Sequence, residues 1–366
     1  MVSGRYTDRN YSARKLDGPS PARDARSRVV GLFTSRTMIA LISVIVTVTY
    51  MNVSGFVEQR AARRAAIGAS NSYSYHDLTP VHASARGHLA NQKVLILTPL
   101  KDAAEWIDEY FENLNRIKYP KELISLAFLV SDTTDGTITK LRRRAERLSR
   151  MPSNERYNSI QILQKDFHFN LASEVRHGFE GQPVRRAIIA RARNYLLTSA
   201  LRPDHAWVLW LDVDVVRYDP DILMDMMGLN KDIVVPNTLW HFNSWDFWVR
   251  TWGFDRNNFA ETEASLELLK DIGPDVMLVE GYRELMTKRQ HLVDMPTHLG
   301  LAYVPLDGIG CTFTLVKANV HREGVVFPTY VFENEIETEG LAKMAKKAGF
   351  EVVGVPGLVV FHARNH

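Results

Sequence analysis

Four short apolar runs separated by amphipathic stretches constrain this chain more than any other feature. They are "KVLILT" from Lys93, "LISLAFLVSD" from Leu123, "SIQILQKDF" from Ser159 and "AWVLWLDVDVV" from Ala206. Their length and their β-branched and bulky residues mark them as strands. Between them, "AAEWIDEYFENLNRI" sets Trp106, Tyr110, Leu114 and Ile117 at helical spacing. "KLRRRAERL" is a basic helix after the turn "TTDGT", and "PVRRAIIARARNYLLTSAL" is a helix with Pro183 near its start. The order β-α-β-α-β-α-β predicts an α/β domain with a mainly parallel sheet and helices on both faces. Its ligand site lies beyond the carboxyl ends of the strands, where residues 98–102, 131–135 and 212–214 converge.

The fourth run raises a question of charge. If the strand continues, Asp212 and Asp214 point the same way, about 7 Å apart, at the edge of an apolar layer. Two carboxylates so placed need a cation or hydrogen-bond donors, and oxygen ligands suit Mg²⁺ or Mn²⁺. The alternative ends the strand near Leu211 and leaves both aspartates in a solvated turn. The first strand leads into "TPLKDA", with neither G-x-G-x-x-G nor G-x-x-x-x-G-K-[ST]. Backbone cradling of a diphosphate is therefore not expected, and such a group would meet a metal on Asp212 and Asp214.

The chain has 366 residues, 45% hydrophobic and 24% charged, enough for one large or two modest domains with a proper core. A formal net charge of +3 gives no footprint for nucleic acid. Residues 1–36 carry eight Lys or Arg against three Asp and read as a cytosolic basic disordered tail. Residues 37–57, "TMIALISVIVTVTYMNVSGFV", contain no formal charge and are long enough to cross a hydrocarbon core of ~30 Å. With the basic tail before it, this segment reads as a single type II anchor that sends the remainder into a lumen; a buried core helix is the competing reading. Residues 58–92 read as a stem and residues 93–366 as the lumenal domain. The single cysteine, Cys311, excludes internal disulfides.

Six motifs in order, "LTPLKDA", "VSDTTDGT", "ARARNYLL", "WVLWLDVDVV", "LDGIGCTFTLVKA" and "FENEIETEGLAKMAKKAGF", resemble the fungal mannan polymerase subunits, a family of Golgi α-1,6-mannosyltransferases. More broadly the chain resembles GT-A nucleotide-sugar transferases, with a Rossmann-like, mainly parallel sheet. The resemblance implies a Golgi membrane protein that uses GDP-mannose and Mn²⁺, or Mg²⁺ in its place, to start or extend the mannan backbone of N-glycans or cell-wall mannan. It implies a mannose-containing glycan acceptor and other polymerase subunits as partners. A noncatalytic scaffold subunit that binds donor or glycan is the competing reading. A metal-dependent phosphodiesterase would also use Asp-x-Asp, but the His-rich two-metal constellation is missing.

The same resemblance implies site residues. Asp212 and Asp214 become the metal-binding pair, with Asp214 the more direct ligand and His362 a further one; His366 lies close by. Thr98, Pro99, Asp102, Ser131 and Asp132 would hold the nucleoside. Arg193 and Asn194 form the inward pair of "ARARN", with Arg193 reaching a phosphate or an acidic neighbour. Asp307 lines the sugar site, and Glu335 or Glu337 contacts the acceptor. Otherwise, the alternating run Glu333, Glu335, Glu337, Glu339 reads as a solvated helix start. "WHFNSWDFWVRTWGF", with His241, Asn243 and Asp246, offers rings and polar groups to a saccharide, although most such rings belong to cores. An α-mannoside made from an α-linked donor retains configuration, so the resemblance favours a front-side reaction without a protein nucleophile.

Overall fold

A computed structural model of the protein describes residues 38, 40, 42–51, 53, 73–170, 178–241, 253–282 and 286–363. The chain divides into two units, Met1–Tyr75 and His76–His366. In the first, residues 42–51 are helical, and the hydroxyls of Thr47 and Thr49 donate to the carbonyls of Ser43 and Ile45 at 2.8 and 2.7 Å. Bonding back to the preceding turn lets two hydroxyls sit in an otherwise apolar helix. Among the described residues no helix is long and apolar enough to cross a membrane. The basic tail, the remainder of the 37–57 segment and residues 58–72 of the expected stem lie outside the described residues.

The second unit opens at His76, inside the segment expected to be a stem. Gln92 ties that segment down. Its side-chain oxygen accepts from the Ser84 amide at 3.0 Å and the buried Trp207 indole at 3.3 Å, and its carbonyl accepts from the Tyr119 hydroxyl at 2.6 Å.

Strands β1 (Lys93–Leu100), β2 (Ile124–Val130), β3 (Ser159–Gln164) and β4 (His205–Leu211) are parallel and lie in the order β3-β2-β1-β4. The chain builds outward from β1 to β3, then crosses back to place β4 on the other flank of β1. That reversal leaves a crevice at the carboxyl ends of β1 and β4. Beyond β4 come β10 (Phe313–Lys317), β6 (Ile233–Trp240), β11 (Val352–His362) and β5 (Val215–Arg217), with β9 (Val304–Pro305) also on β11. Strands β1, β2, β3, β4, β6 and β11 share one direction, and β5, β9 and β10 run against it. The sheet is therefore mostly parallel, as expected, but mixed in its second half. A short pair, β7 (Phe259–Ala260) and β8 (Gln290–His291), stands apart.

Helices α1 (Ile107–Arg116), α2 (Thr137–Ser149), α3 (Gln182–Ala200), α4 (Ile222–Gly228), α5 (Glu263–Lys270), α6 (Ala318–Arg322) and α7 (Glu337–Lys347) accompany the sheet. In α1, Ile107, Tyr110, Phe111 and Leu114 recur at helical spacing and are buried, with Asp108 and Glu109 in the first turn and Arg116 in the last, matching the dipole. All seven residues of β4 are buried because both of its faces are covered. Trp207 and Leu209 join Ile107, Phe111 and Leu141 in one core, whereas Val208 and Trp210 join Leu196 and Phe327 in the other. Each such side chain stabilises the fold by about 1.5–3 kcal/mol.

Two buried histidines are fixed as neutral rings by their partners. His205 Nδ1 accepts the Arg202 amide at 3.0 Å, so Nε2 donates to Ser125 Oγ at 3.0 Å. His321 Nε2 accepts the Trp210 indole at 3.2 Å, so Nδ1 donates to the Val325 carbonyl at 2.8 Å. Burial lowers both pKa values to about 4.

Candidate functional site

Strand β4 ends at Leu211, and Asp212 to Asp214 form the turn into β5. The aspartates thus leave the sheet before the turn instead of sharing a strand face. This is not a solvated turn, however. The Asp212 amide donates to the Thr312 carbonyl at 3.0 Å, and the Asp214 carbonyl accepts the Ala363 amide at 2.8 Å. The starts and ends of β10 and β11 therefore fix a turn that sequence proximity alone would leave loose, and the two carboxylates are only 27% and 22% exposed.

Each aspartate meets one cationic group. The Arg193 guanidinium, on α3, reaches Asp212 Oδ1 through Nη2 at 3.3 Å and Glu337 Oε1 through Nε at 3.3 Å. Its plane lies near the Trp210 and Phe327 rings, 5.5 and 5.6 Å from their centroids, and its buried Nη1 has no hydrogen-bond partner among the described residues. Burial opposes the arginine's charge, but Asp212 and Glu337 keep it protonated. Burial raises the Asp212 carboxyl to about 6 against the pull of Arg193, with the Asp214 charge adding to the rise.

His362, the last residue of β11, faces Asp214, with Nε2 3.1 Å from Oδ1. Its Nδ1 lies 2.6 Å from the Ala363 carbonyl, an acceptor that requires a proton on Nδ1. In a neutral ring, Nε2 would then turn a lone pair on a carboxylate oxygen, so a positive charge has to lie between them. Burial opposes protonation of His362, yet Asp214 overcomes it and raises the pKa. The ring is stacked on Phe254 at 3.8 Å between centroids.

That arrangement fits a divalent cation in place of the imidazolium proton. Nε2 and Oδ1 already converge on one point, the carbonyl partner of Nδ1 selects the ligating tautomer, and Asp212 supplies a second carboxylate. Among the described residues no group of three or more His, Cys, Asp or Glu side chains gathers into a ready metal cage. Magnesium-like ions are commonly held by one or two carboxylates with substrate phosphates and water completing the shell.

Two cavities meet at this turn, both lined by Lys101, Arg185, Ile189, Arg193 and residues 212–214. The smaller, about 270 Å³, extends to Pro99, Ser131, Asp132, Phe169 and Asn170. The larger, about 770 Å³, extends to Trp106, Asp255, Glu280, Tyr282, Thr312, Glu337 and His362.

The expected residues divide accordingly. Asp212, Asp214, Arg193, Glu337 and His362 come together, and Pro99, Ser131 and Asp132 line the smaller cavity. The Asp132 carboxylate, though, accepts the amides of Phe167 and His168 at 3.1 and 2.8 Å. Asp102 borders the larger cavity, but its carboxylate accepts the amide and hydroxyl of Thr134 at 2.6 and 3.1 Å. Burial works to raise its pKa, and these bonds lower it below the usual range.

Four expectations fail on geometry. Thr98 is wholly buried and bonds to the Tyr110 hydroxyl at 2.6 Å and the Leu211 carbonyl at 2.8 Å, so it ties β1 to the end of β4 instead of meeting a nucleoside. Asn194 clamps the Phe327 backbone, donating to its carbonyl at 2.7 Å and accepting its amide at 2.9 Å. Asp307 accepts the Glu261 amide at 2.7 Å and pairs with Lys346, outside both cavities. Glu335 lies behind the cavity wall, 2.6 Å from Arg289; burial pushes its carboxyl up against the arginine's pull. His241 is described, whereas Asn243, Asp246 and His366 lie outside the described residues.

The alternating glutamates do not form a solvated face. Glu335, Glu337 and Glu339 are buried and pair with Arg289, Arg193 and Arg186 in turn. Glu337 adopts a left-handed backbone, φ 58°, which redirects its side chain just as the helix begins. Sequence reasoning missed Arg186, Asp255 and Arg289, which meet Glu339, Thr312 and Glu335 across long stretches of chain, and Glu280, which pairs with Arg289 only nine residues on but lies in no motif that marks it.

A family model described as Anp1 matches residues 72–331. The chain is 42% identical over 276 residues to the Mannan polymerase II complex anp1 subunit of Schizosaccharomyces pombe, covering 74% of this chain and 64% of that one. It is 36% identical to the Mannan polymerase II complex ANP1 subunit of Saccharomyces cerevisiae, covering 80% of this chain and 59% of the other. Against the Mannan polymerase complex subunit MNN9 of Candida albicans, identity is 38% and coverage 80% of each chain. The chain thus spans about three fifths of the length of the first two relatives. Among solved structures, a mannosyltransferase from Pyrobaculum calidifontis in complex with GDP-Man and Mn²⁺ aligns at 15% identity, TM-score 0.41, over 82% of this chain and 62% of that one.

Proposed function

The chain belongs to the Anp1 family, and from that premise we propose that it is a metal-dependent, retaining α-1,6-mannosyltransferase of GT-A type. It takes GDP-mannose as donor and starts or extends mannan as one subunit of a polymerase complex. The observation that carries this reading is the contact of His362 with Asp214 at the junction of two cavities. The names of the relatives support the mannan role and the complex. The apolar 37–57 segment serves in this reading as a type II anchor that holds the domain in the Golgi lumen.

The smaller cavity takes the nucleoside and the larger one takes the two sugars. Asp212, Asp214 and His362 would hold Mn²⁺, or Mg²⁺, whose charge offsets that developing on a leaving diphosphate. Arg193 Nη1, buried and without a partner among the described residues, donates to a phosphate oxygen, while Glu337 and Asp212 fix the guanidinium on its other edges. The departing phosphate oxygen accepts the proton of the acceptor hydroxyl, on the face from which the hydroxyl attacks. The chain then needs no nucleophile of its own.

The names of the relatives as complex subunits favour one other reading, a scaffold that binds donor without turning it over. Incubating the purified chain with GDP-mannose, Mn²⁺ and a mannose acceptor separates the two. Transfer that falls in Asp214→Ala supports the enzyme, and tight donor binding with no transfer supports the scaffold.

A further inference from the structure

Five acidic side chains are buried among the described residues: Asp255, Glu280, Glu335, Glu337 and Glu339. Four have an arginine. Glu280 and Glu335 share Arg289, Glu337 takes Arg193 and Glu339 takes Arg186. Asp255, 4% exposed, has no Lys, Arg or His within ion-pair distance among the described residues. Its Oδ1 accepts the Asn257 amide at 3.0 Å and its Oδ2 accepts the Thr312 hydroxyl at 3.2 Å. A carboxylate offers about four acceptor sites, so roughly half of this one's capacity is unused in a place where burial is costly.

The backbone is shaped around this carboxylate. A Cβ added at Gly310 would lie 1.9 Å from Asp255 Oδ2, so the "GIG" turn passes directly beneath the acid, and only glycine leaves room for it. Asp255 also lines the larger cavity, next in sequence to Phe254, whose ring is stacked on His362. It therefore opens on the space that a hexose attached to a diphosphate at Asp212 and Asp214 would occupy. Its lone pairs suit a hydroxyl donor, as the neutral Asn257 amide and Thr312 hydroxyl already bonded to this acid show.

We propose that Asp255 accepts a hydrogen bond from one hydroxyl of the transferred hexose and so determines which sugar the cavity admits. This rests on the donor-site reading above. Thr312 and Asn257 aim the carboxylate, and Gly310 makes the space. A site built to bind a hydroxyl rejects a sugar lacking it much more strongly than an apolar wall can.

The test is a thermodynamic cycle on the full chain with Mn²⁺, using GDP, GDP-mannose and its single-deoxy analogues in titration calorimetry. In the wild type, one deoxy position should weaken binding at least tenfold relative to GDP-mannose. In Asp255→Asn, GDP affinity should stay within about twofold, GDP-mannose should lose at least tenfold, and the penalty at that deoxy position should shrink. Thr312→Val, which removes one of the groups orienting the acid, carries the same cycle if Asp255→Asn does not fold. A deoxy penalty unchanged in the variant, or GDP and GDP-mannose weakened equally, overturns the proposal. Wild-type protein that binds GDP but shows no deoxy penalty refutes the Asp255 assignment alone. Protein that binds neither nucleotide refutes the donor-site reading, and the assignment falls with it.

Discussion

His362 Nε2 stands 3.1 Å from the Asp214 carboxylate, although one ends β11 and the other follows β4. The Ala363 amide bonds the Asp214 carbonyl at 2.8 Å, so backbone and side chain hold the same crossing. Because His362 Nδ1 is committed to a carbonyl, the pair requires a positive charge between them. Removing the imidazole should therefore weaken metal retention without unfolding the sheet. His362→Ala is expected to lower Mn²⁺ affinity by at least about 10- to 100-fold, because loss of a direct ligand should cost no less than loss of an outer-shell partner, for which that range is typical. Calorimetry with Mn²⁺ and GDP checks it.

Arg193 joins the donor side to α7 through Asp212 and Glu337. Glu337→Ala leaves a buried guanidinium short of one partner and should cost about 3–5 kcal/mol of stability, read from denaturant midpoints. Arg193→Lys supplies a point charge where two edges of a fork are used, so turnover should fall about 100-fold while the fold persists.

Thr98 separates a structural role from a binding one. Among the described residues its hydroxyl bonds to the Tyr110 hydroxyl and the Leu211 carbonyl. Thr98→Val is expected to cost about 1–3 kcal/mol in unfolding free energy and to leave the intrinsic GDP affinity of the folded protein unchanged. A selective loss of GDP affinity would restore Thr98 to the nucleoside site.

The neutral histidines give a pH dependence whose sign is fixed. His205 and His321 have folded pKa values lowered from 6.5 to about 4. Their contribution is complete above about 6.5 and is lost as the pH falls toward 4, by up to about 3 kcal/mol for each ring. Asp212, raised to about 6, works the other way and regains stability on acidification. Comparing single variants isolates the effect: His321→Asn should be less stable than the wild type at pH 7, and the gap should narrow at pH 5 in urea denaturation.

The strand–helix alternation was legible because β1, β2 and β4 are buried on both faces and leave unbroken apolar runs. The direction of β10 was not, since "FTLVK" reads alike in parallel and antiparallel pairing. Asp212, Asp214 and His362 were nameable from local motifs. Thr98 was misplaced because β1 runs on to Leu100, two residues past the apolar run that marks it. The alternating glutamates were opaque for a different reason. A period of two has no meaning on a helix, and Glu335 and Glu337 precede or begin α7 with left-handed backbone at Asn334 and Glu337. Their arginines lie far away in sequence, as do the glycine and threonine that frame Asp255.

The most direct test is mannose transfer from GDP-mannose by the purified full chain, compared with Asp214→Asn and with the wild type in chelator. The expected result is metal-dependent transfer that falls at least 100-fold in both comparisons, on the order of a lost electrostatic stabiliser. Transfer that persists undiminished in Asp214→Asn and in chelator would contradict the account.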